Sequence, residues 1–311
     1  MADLISRLEA LGHAVDGDAY TDATAQAVAA FQQDRGLDVT GICDGRTWAT
    51  LIEANYALGD RNLYLHTPMW RGDDVAELQL ALGELGFDAG RVDGIFGPDT
   101  LDGLVDFQRN VGLVPDGIAG RRTVRELGRY RGRTTNAQPV TTVKERNQLR
   151  KASAGAGLLR AVVGEQGGAA ALVATVAREL RRAGVTVLTL DHPSPSARAQ
   201  TANAFEADIY LGLSVAPQPS WTSWYFSVPG YESIGGRELA NRLVCFGSGL
   251  AETHGAEAVG KRLPILRETK MPAVVCEIGP PDLLIRNSAA IAAGIVASVQ
   301  EWTTSRLPAG N

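Results

Sequence analysis

An internal repeat in the first part of the chain constrains the fold more than any other feature of the sequence. Residues 24–51 match residues 100–127 at a constant offset, which aligns Phe31-Gln32 with Phe107-Gln108. Upstream of each match, leucines recur at i, i+4 and i+7, the spacing of one face of a helix. A repeat of this kind predicts that one small structural unit is built twice along the chain.

Each copy is predicted to form a small all-α domain of three short helices, with repeat 1 at residues 1–57 and repeat 2 at residues 58–131. Glycines that follow the helical patterns indicate where helices end, and Asp-Gly pairs indicate turns. Residues 132–157 are rich in Arg, Thr, Gln, Lys, Ala and Gly and contain almost no large apolar residue. This composition predicts an interdomain linker, so the chain is expected to be multidomain.

The rest of the chain, residues 158–307, alternates between two patterns. Strands are predicted over residues 158–163, 185–190, 209–215, 223–228 and the apolar run before Glu277, and helices over residues 172–180, 196–205, 236–250 and 287–302. Alternating strands and helices imply an α/β domain with a mostly parallel twisted sheet flanked by helices.

Charge and hydropathy exclude some functions. The net charge of −5 and the pI near 5.5 argue against a nucleic-acid partner. No apolar run approaches the ~18 residues that a spanning helix needs, so no transmembrane segment is expected. The N-terminus has neither the basic nor the apolar region of a secretion signal, which leads us to expect a cytoplasmic protein. Whether a segment once preceded Met1 does not follow from the sequence.

Glu277 is the first candidate functional residue. It follows the apolar, β-branched run that begins after Pro272, and Gly279 comes two residues later. Ligands of open α/β sheets bind beyond the carboxyl ends of the strands, which is where this acid is placed. An acid at a strand end can also cap the next turn or pair with an arginine, and most such acids have no chemical role.

The repeats resemble a known family. Leu-x-x-Leu-Gly, Asp-Gly-x-Phe-Gly-x-x-Thr, Phe-Gln, Gly-Leu and Asp-Gly-x-x-Gly-x-x-Thr follow one another in repeat 2, and repeat 1 keeps part of this order. The pattern is similar to the peptidoglycan-binding domain of the PG_binding_1 type. The resemblance implies peptidoglycan or its precursors as partners, while most of the matched positions are core or turn residues.

The stretch Arg267 to Gly279 resembles the last strand of the zinc-dependent N-acetylmuramoyl-L-alanine amidase family, the Amidase_3 type, with its Thr-Lys-Met-Pro lead, apolar strand, Glu and Gly. In that family the glutamate is the general base beside a zinc-bound water, and Glu277 matches it. The family holds zinc with His, Glu and His. The matching positions here are Gln166, Glu165 and Ser214, and Gln166 and Glu165 compete for one short loop.

Both histidine positions of the family therefore lack histidine, and His192 and His254 are the possible substitute ligands. The resemblance favours a catalytically inactive homologue, similar to the regulatory pseudo-amidases of actinobacteria. Such a protein would use no metal or cofactor, and would bind a peptidoglycan precursor or a cell-wall synthesis protein. The alternative is a divergent zinc-dependent amidase that hydrolyses peptidoglycan between N-acetylmuramic acid and L-alanine.

Overall fold

The computed structural model describes residues 1–15, 17, 19–131, 139–154, 159–249 and 255–305. The chain divides into two compact units, Met1–Val143 and Lys144–Asn311. His254 lies outside the described residues, and so do parts of the predicted linker. The predicted division into four segments stays a prediction.

The first unit is helical, as the repeat predicts. Its helices are α1 (Ala2–Ala10), α2 (Asp22–Arg35), α3 (Gly45–Ala54), α4 (Asp73–Glu84), α5 (Pro98–Asn110) and α6 (Arg121–Arg131). Leu8, Phe31 and Leu51 belong to one buried apolar cluster, which lies in repeat 1. Phe107 and Leu127 belong to a second cluster, which lies in repeat 2. Each copy therefore buries the apolar face of its own helices.

A buried glutamine explains why Gln, Gly and Thr recur together in the repeats. Each such glutamine accepts a hydrogen bond from a glycine N–H and donates one to a threonine hydroxyl: Gln32 to Gly41 and Thr47, Gln79 to Gly94 and Thr100, and Gln108 to Gly117 and Thr123. The three glycines have φ between 68° and 70°, a conformation that favours glycine. These repeat positions hold the fold together, and the sequence missed the third set, which contains Gln79.

Helix α7 (Val140–Ala154) lies within the predicted linker. Its Glu145 carboxylate accepts hydrogen bonds from the Ser233 hydroxyl (2.7 Å) and from the N–H groups of Ile234 and Gly235 (3.2 Å each). A carboxylate is favourable at a helix N-terminus, where N–H groups lack partners. Leu149 of the same helix packs against the main apolar core. The predicted linker thus contains a helix that the Glu145 carboxylate and the apolar Leu149 attach to the rest of the second unit.

The second unit is an α/β domain. Its elements are β1 (Arg160–Gly167), α8 (Ala170–Arg182), β2 (Thr186–Leu190), α9 (Pro195–Ala204), β3 (Ile209–Val215), β4 (Ser220–Val228), β5 (Tyr231–Glu232), α10 (Ile234–Gly247), β6 (Glu257–Lys261), α11 (Pro264–Glu268), β7 (Ala273–Gly279) and α12 (Pro281–Ser305). The strand order is β2-β1-β3-β7-β4, and both β5 and β6 pair with β4.

The sheet is mixed, which corrects the prediction of a mostly parallel sheet. Strands β2, β1, β3 and β7 are parallel, whereas β4 is antiparallel to β7 and β6 is parallel to β4. Residues 216–219 alone connect β3 to β4, and a parallel return needs a crossover of roughly a dozen residues or more. Strand β4 therefore runs back along the sheet, and β6 follows its direction after the crossover through α10.

The two faces of the sheet are covered differently. Leu211, Leu213 and Val274 point into the main apolar core with α8, α10 and α12. The alternate residues, such as Tyr210 and Val275, point to the opposite face, where α9 and α11 contact each other and α11 contacts β4 and β7. The predicted functional residues Ser214 and Glu277 lie in register with this second set.

Helix α12 passes a simple test for a membrane span. Within the described residues it is the one helix long and apolar enough to cross a membrane, and half of its apolar stretch is buried. Its Ile291, Ile295 and Trp302 are fully buried in the main core. Core helices of this length pass the same test.

Candidate functional site

Polar side chains form a row near the carboxyl ends of β3 and β7. Ser214 on β3 is the direct cross-strand partner of Glu277 on β7, and Glu277 in turn lies opposite Thr222 on β4. Neighbouring strands are about 4.8 Å apart, so the three side chains are adjacent on one face of the sheet. The structure therefore brings together two of the residues that the sequence singles out.

The Glu277 carboxylate is half-buried and, among the described residues, forms neither a hydrogen bond nor an ion pair. Burial raises the pKa of this carboxyl above its ordinary value, and the Lys261 ammonium opposes part of the shift. Lys261 lies over the Trp224 ring, with Nζ 4.8 Å from the ring centroid. The acid is thus desolvated without a strong partner, and the sequence missed Lys261 because it lies on another strand.

Replacing Glu277 with glutamine tests this environment. Because the pKa of Glu277 is raised in the folded chain, its ionised form costs stability at neutral pH, and the cost vanishes below the pKa of the unfolded chain. We expect Glu277→Gln to raise the free energy of unfolding at about pH 7 by less than about 1 kcal/mol. Near about pH 3 the variant and the native chain should unfold at the same urea concentration. A variant less stable at neutral pH would show that the carboxylate makes a stabilising contact.

Glu165 and Gln166 have separate partners, which distinguishes the two alternatives that the sequence left open. A β-bulge lies between Glu165 and Gly167 in the pairing of β1 with β3. The Glu165 carboxylate accepts hydrogen bonds from the N–H groups of Gly167 (3.0 Å) and Ala169 (2.8 Å). It therefore holds the turn that joins β1 to α8, whereas the bulge directs Gln166 to another surface.

Gln166 lies across the second face of the sheet. Its Nε2 donates a hydrogen bond to the Tyr210 hydroxyl at 2.7 Å. The side chain passes over Gly212, where an added Cβ would lie 2.9 Å from Gln166 Nε2 and 2.9 Å from Val275 Cγ2. A glycine at this place lets an amide occupy the surface next to the Ser214 and Glu277 row.

Arg198 on α9 is a further polar residue here, and the sequence analysis missed it. Its side chain is 6% exposed, and Nη1 donates a hydrogen bond to the backbone oxygen of Glu165. Burial raises the pKa of Tyr210 to about 12, while Arg198 and the Gln166 hydrogen bond act in the opposite direction. One sequence signal could have pointed to Arg198, because it is the one charged residue in a helix of small and polar residues. In the structure its neighbour Ala199 is fully buried.

His192, one of the two substitute ligands proposed from the sequence, does not join this group. His192 is exposed in the loop after β2, and its Nδ1 accepts a hydrogen bond from Ser194 N–H at 3.0 Å. His254 lies outside the described residues. We call Gln166, Arg198, Tyr210, Ser214 and Glu277 the strand-end site.

The strand-end site does not fit a zinc ion. Over the described ranges no group of three His, Cys, Asp or Glu side chains could hold a metal. A serine hydroxyl and a glutamine amide are poor ligands for zinc, and Glu165 is bound to backbone N–H groups. The Arg198 guanidinium adds a positive charge beside these residues, which opposes a second cation.

Comparison with known proteins identifies the family. The chain is 35% identical over 318 aligned residues to N-acetylmuramoyl-L-alanine amidase CwlM of Mycobacterium tuberculosis, an alignment that covers 88% of this chain and 77% of that protein. The chain belongs to the N-acetylmuramoyl-L-alanine amidase family. The resemblance noted at the Glu277 strand is therefore confirmed by a match along most of the chain.

The N-terminal part of this amidase homologue matches a second family. Residues 2–51 and 71–127 match the family described as "Putative peptidoglycan binding domain". A segment of 56 residues is 48% identical to the spore cortex-lytic enzyme of Bacillus cereus, and this covers 18% of the chain and 22% of that enzyme. Both copies of the internal repeat thus match the peptidoglycan-binding domain family.

Solved amidase structures are also similar. Amidase AmiC2 of Nostoc punctiforme is 15% identical with a TM-score of 0.38, and the match covers 48% of this chain and 98% of AmiC2. The CwlD amidase of Clostridioides difficile, solved in complex with the GerS lipoprotein, is 14% identical with a TM-score of 0.37 over 47% of this chain and 98% of that chain.

Proposed function

We propose that this amidase homologue is non-hydrolytic, binds peptidoglycan or its precursors, and regulates cell-wall synthesis, with a cell-wall synthesis protein as a further partner. The proposal rests on the residues that occupy the strand-end site. Glu277 stands at the general-base position of the family, while Gln166 and Ser214 stand where the family has its zinc histidines. We place this activity in the cytoplasm.

The missing imidazoles matter because zinc hydrolases depend on them twice. Three protein ligands hold the ion, and the ion then lowers the pKa of its bound water towards neutrality. Carboxylates alone favour hard cations that are held weakly, and a weakly held ion does little to activate water. Glu277 would then have no acidified water from which to remove a proton.

Binding, in contrast, needs none of these ligands. The repeats that match the peptidoglycan-binding family keep their buried glutamine hydrogen bonds and their apolar cores, so the binding units are structurally complete. An α/β domain that lacks a metal site can still recognise the peptide or glycan of a precursor. Recognition without cleavage is the basis of a regulatory role.

The alternative is a divergent zinc-dependent amidase, and the retained Glu277 is the observation that favours it. A cleavage assay separates this alternative from the proposal. A muramyl peptide is incubated with the full chain and added zinc, and the products are measured by mass spectrometry beside the Glu277→Gln variant. We expect the peptide to stay intact in both samples. Release of the peptide by the native chain, abolished by a chelator and by Glu277→Gln, would overturn the proposal.

A further inference from the structure

The strand-end site contains hydrogen-bond donors without acceptors. Among the described residues Arg198 has one hydrogen bond, from Nη1 to the Glu165 backbone oxygen, and its buried Nε has no partner. No carboxylate lies within ion-pairing distance of its guanidinium in that part of the chain. Burying a charge without a counter-charge costs free energy, and the cost is reduced when an anion binds.

Tyr210 provides a second unused donor. Its side chain is fully buried, and its oxygen accepts a hydrogen bond from Gln166 Nε2, which leaves the phenol proton without a described acceptor. Turning the Gln166 amide over would let Tyr210 donate to the amide oxygen, but it would then leave the amide N–H₂ without an acceptor. In both orientations a donor is left over beside the guanidinium.

The acids nearby do not supply the missing acceptor. The Glu165 carboxylate is bound to the N–H groups of Gly167 and Ala169, in the turn before α8. The cation whose charge acts on the Glu277 carboxylate is Lys261, which lies on β6. The positive charge of Arg198 and the partly exposed Gln166 amide are thus left for a ligand, and the buried Tyr210 hydroxyl holds that amide in place.

We propose that Arg198, Tyr210 and Gln166 form a binding site for a carboxylate of the ligand, in the place where an active amidase would hold its metal ion. This deepens the proposed function, on which it rests, by naming the chemical group that is recognised. A planar guanidinium binds a carboxylate through paired hydrogen bonds. A singly charged carboxylate suits the site better than phosphate because Glu277 lies on the same face and repels a dianion.

Calorimetric titration of the full chain tests the site. The probes are N-acetylmuramyl-L-alanyl-D-glutamate, the same compound with both carboxyl groups amidated, and inorganic phosphate. We expect the native chain to bind the acid at least about tenfold more tightly than the amidated compound or phosphate. Arg198→Gln should remove most of this difference, and Tyr210→Phe should weaken binding of the acid by a smaller factor.

A matched control removes a positive charge elsewhere. Arg178 is on α8, its side chain is 55% exposed, and Arg178→Gln should bind all three probes as the native chain does. If Arg198→Gln does not fold, Tyr210→Phe decides, because it removes one hydroxyl and no charge. Binding of the acid that is unchanged in a folded Arg198→Gln or, failing that, in Tyr210→Phe would overturn the carboxylate site. So would equal binding of the acid and the amidated compound.

The same samples keep this proposal apart from the proposed function. Mass spectrometry of the titrated probe shows whether it has been cleaved. An intact probe that binds independently of Arg198 would refute the carboxylate site and leave the non-hydrolytic proposal standing. A cleaved probe would refute the non-hydrolytic proposal, whatever the effect of Arg198.

Discussion

Replacing Gly279 with alanine is expected to lower the free energy of unfolding of the Lys144–Asn311 unit by about 3 kcal/mol. Gly279 ends β7, two residues after Glu277, and it is buried. A Cβ at this position would collide with the backbone oxygens of Ala216 and Gln218 and lie 2.8 Å from the Ala216 Cβ. Because the colliding atoms belong to the backbone that joins β3 to β4, they cannot move away as a flexible side chain would.

Urea unfolding followed by circular dichroism measures this effect. The matched control is Gly128→Ala, because Gly128 lies in helix α6 and an added Cβ there would meet no atom within 4 Å. The control should be as stable as the native chain or slightly more stable, since alanine favours a helix. If Gly279→Ala were as stable as the control, Gly279 could not lie as close to the β3–β4 connection as the structure has it.

Replacing Trp302 with alanine is expected to destabilise the same unit by about 3–5 kcal/mol. Trp302 lies in the last turns of α12, is fully buried, and donates a hydrogen bond from Nε1 to the backbone oxygen of Gly235 at 3.1 Å. Its removal leaves a large cavity between α12 and the start of α10, and it also removes that hydrogen bond.

Ile285→Ala on the same helix is the control, because its side chain is 80% exposed. It should change the free energy of unfolding by no more than about 0.5 kcal/mol. Equal effects of the two substitutions would show that α12 does not pack on the core in this way. If α12 were a membrane-spanning helix, Trp302→Ala and Ile285→Ala would likewise not differ in their effect on the free energy of unfolding in water.

The fold was predictable where the apolar residues of the sequence follow one clear period, that of a helix or that of a strand. The strand at residues 209–215 was predicted with the bounds that β3 has, and the helices of both repeats follow from their leucine spacing. The direction of β4 was not predictable from its own residues. It depends on how few residues connect it to β3, and the strand order places β7 between the two.

The missed elements share a physical reason. Strand β6 is five residues long and only partly buried, and α11 is a single short helix that begins at Pro264. Helix α7 has no clear apolar stripe, and its described anchors are the Glu145 carboxylate at the start of α10 and the single apolar residue Leu149. Short elements and polar anchors leave little hydrophobic periodicity for a sequence to reveal.

The strand-end site was predictable only in part. Glu277 was predicted because it ends an apolar run and matches a family motif, and Ser214 because it stands at a ligand position of the family. The register of β3 with β7 makes them neighbours. Arg198 and Lys261 come from α9 and β6, far from Glu277 in the sequence. A charged residue in a helix or at a strand end is usually solvated, so its burial becomes known only from the fold.

Zinc content tests the non-hydrolytic proposal most directly. The purified full chain is dialysed against zinc, freed of unbound metal on a desalting column, and measured by elemental analysis beside an established zinc amidase. We predict far less than one zinc ion per chain, because Gln166 and Ser214 are poor ligands and the Arg198 guanidinium opposes a second cation. About one zinc ion per chain, removed by a chelator together with muramyl-peptide cleavage, would contradict the proposal and direct attention to His192 and His254 as ligands.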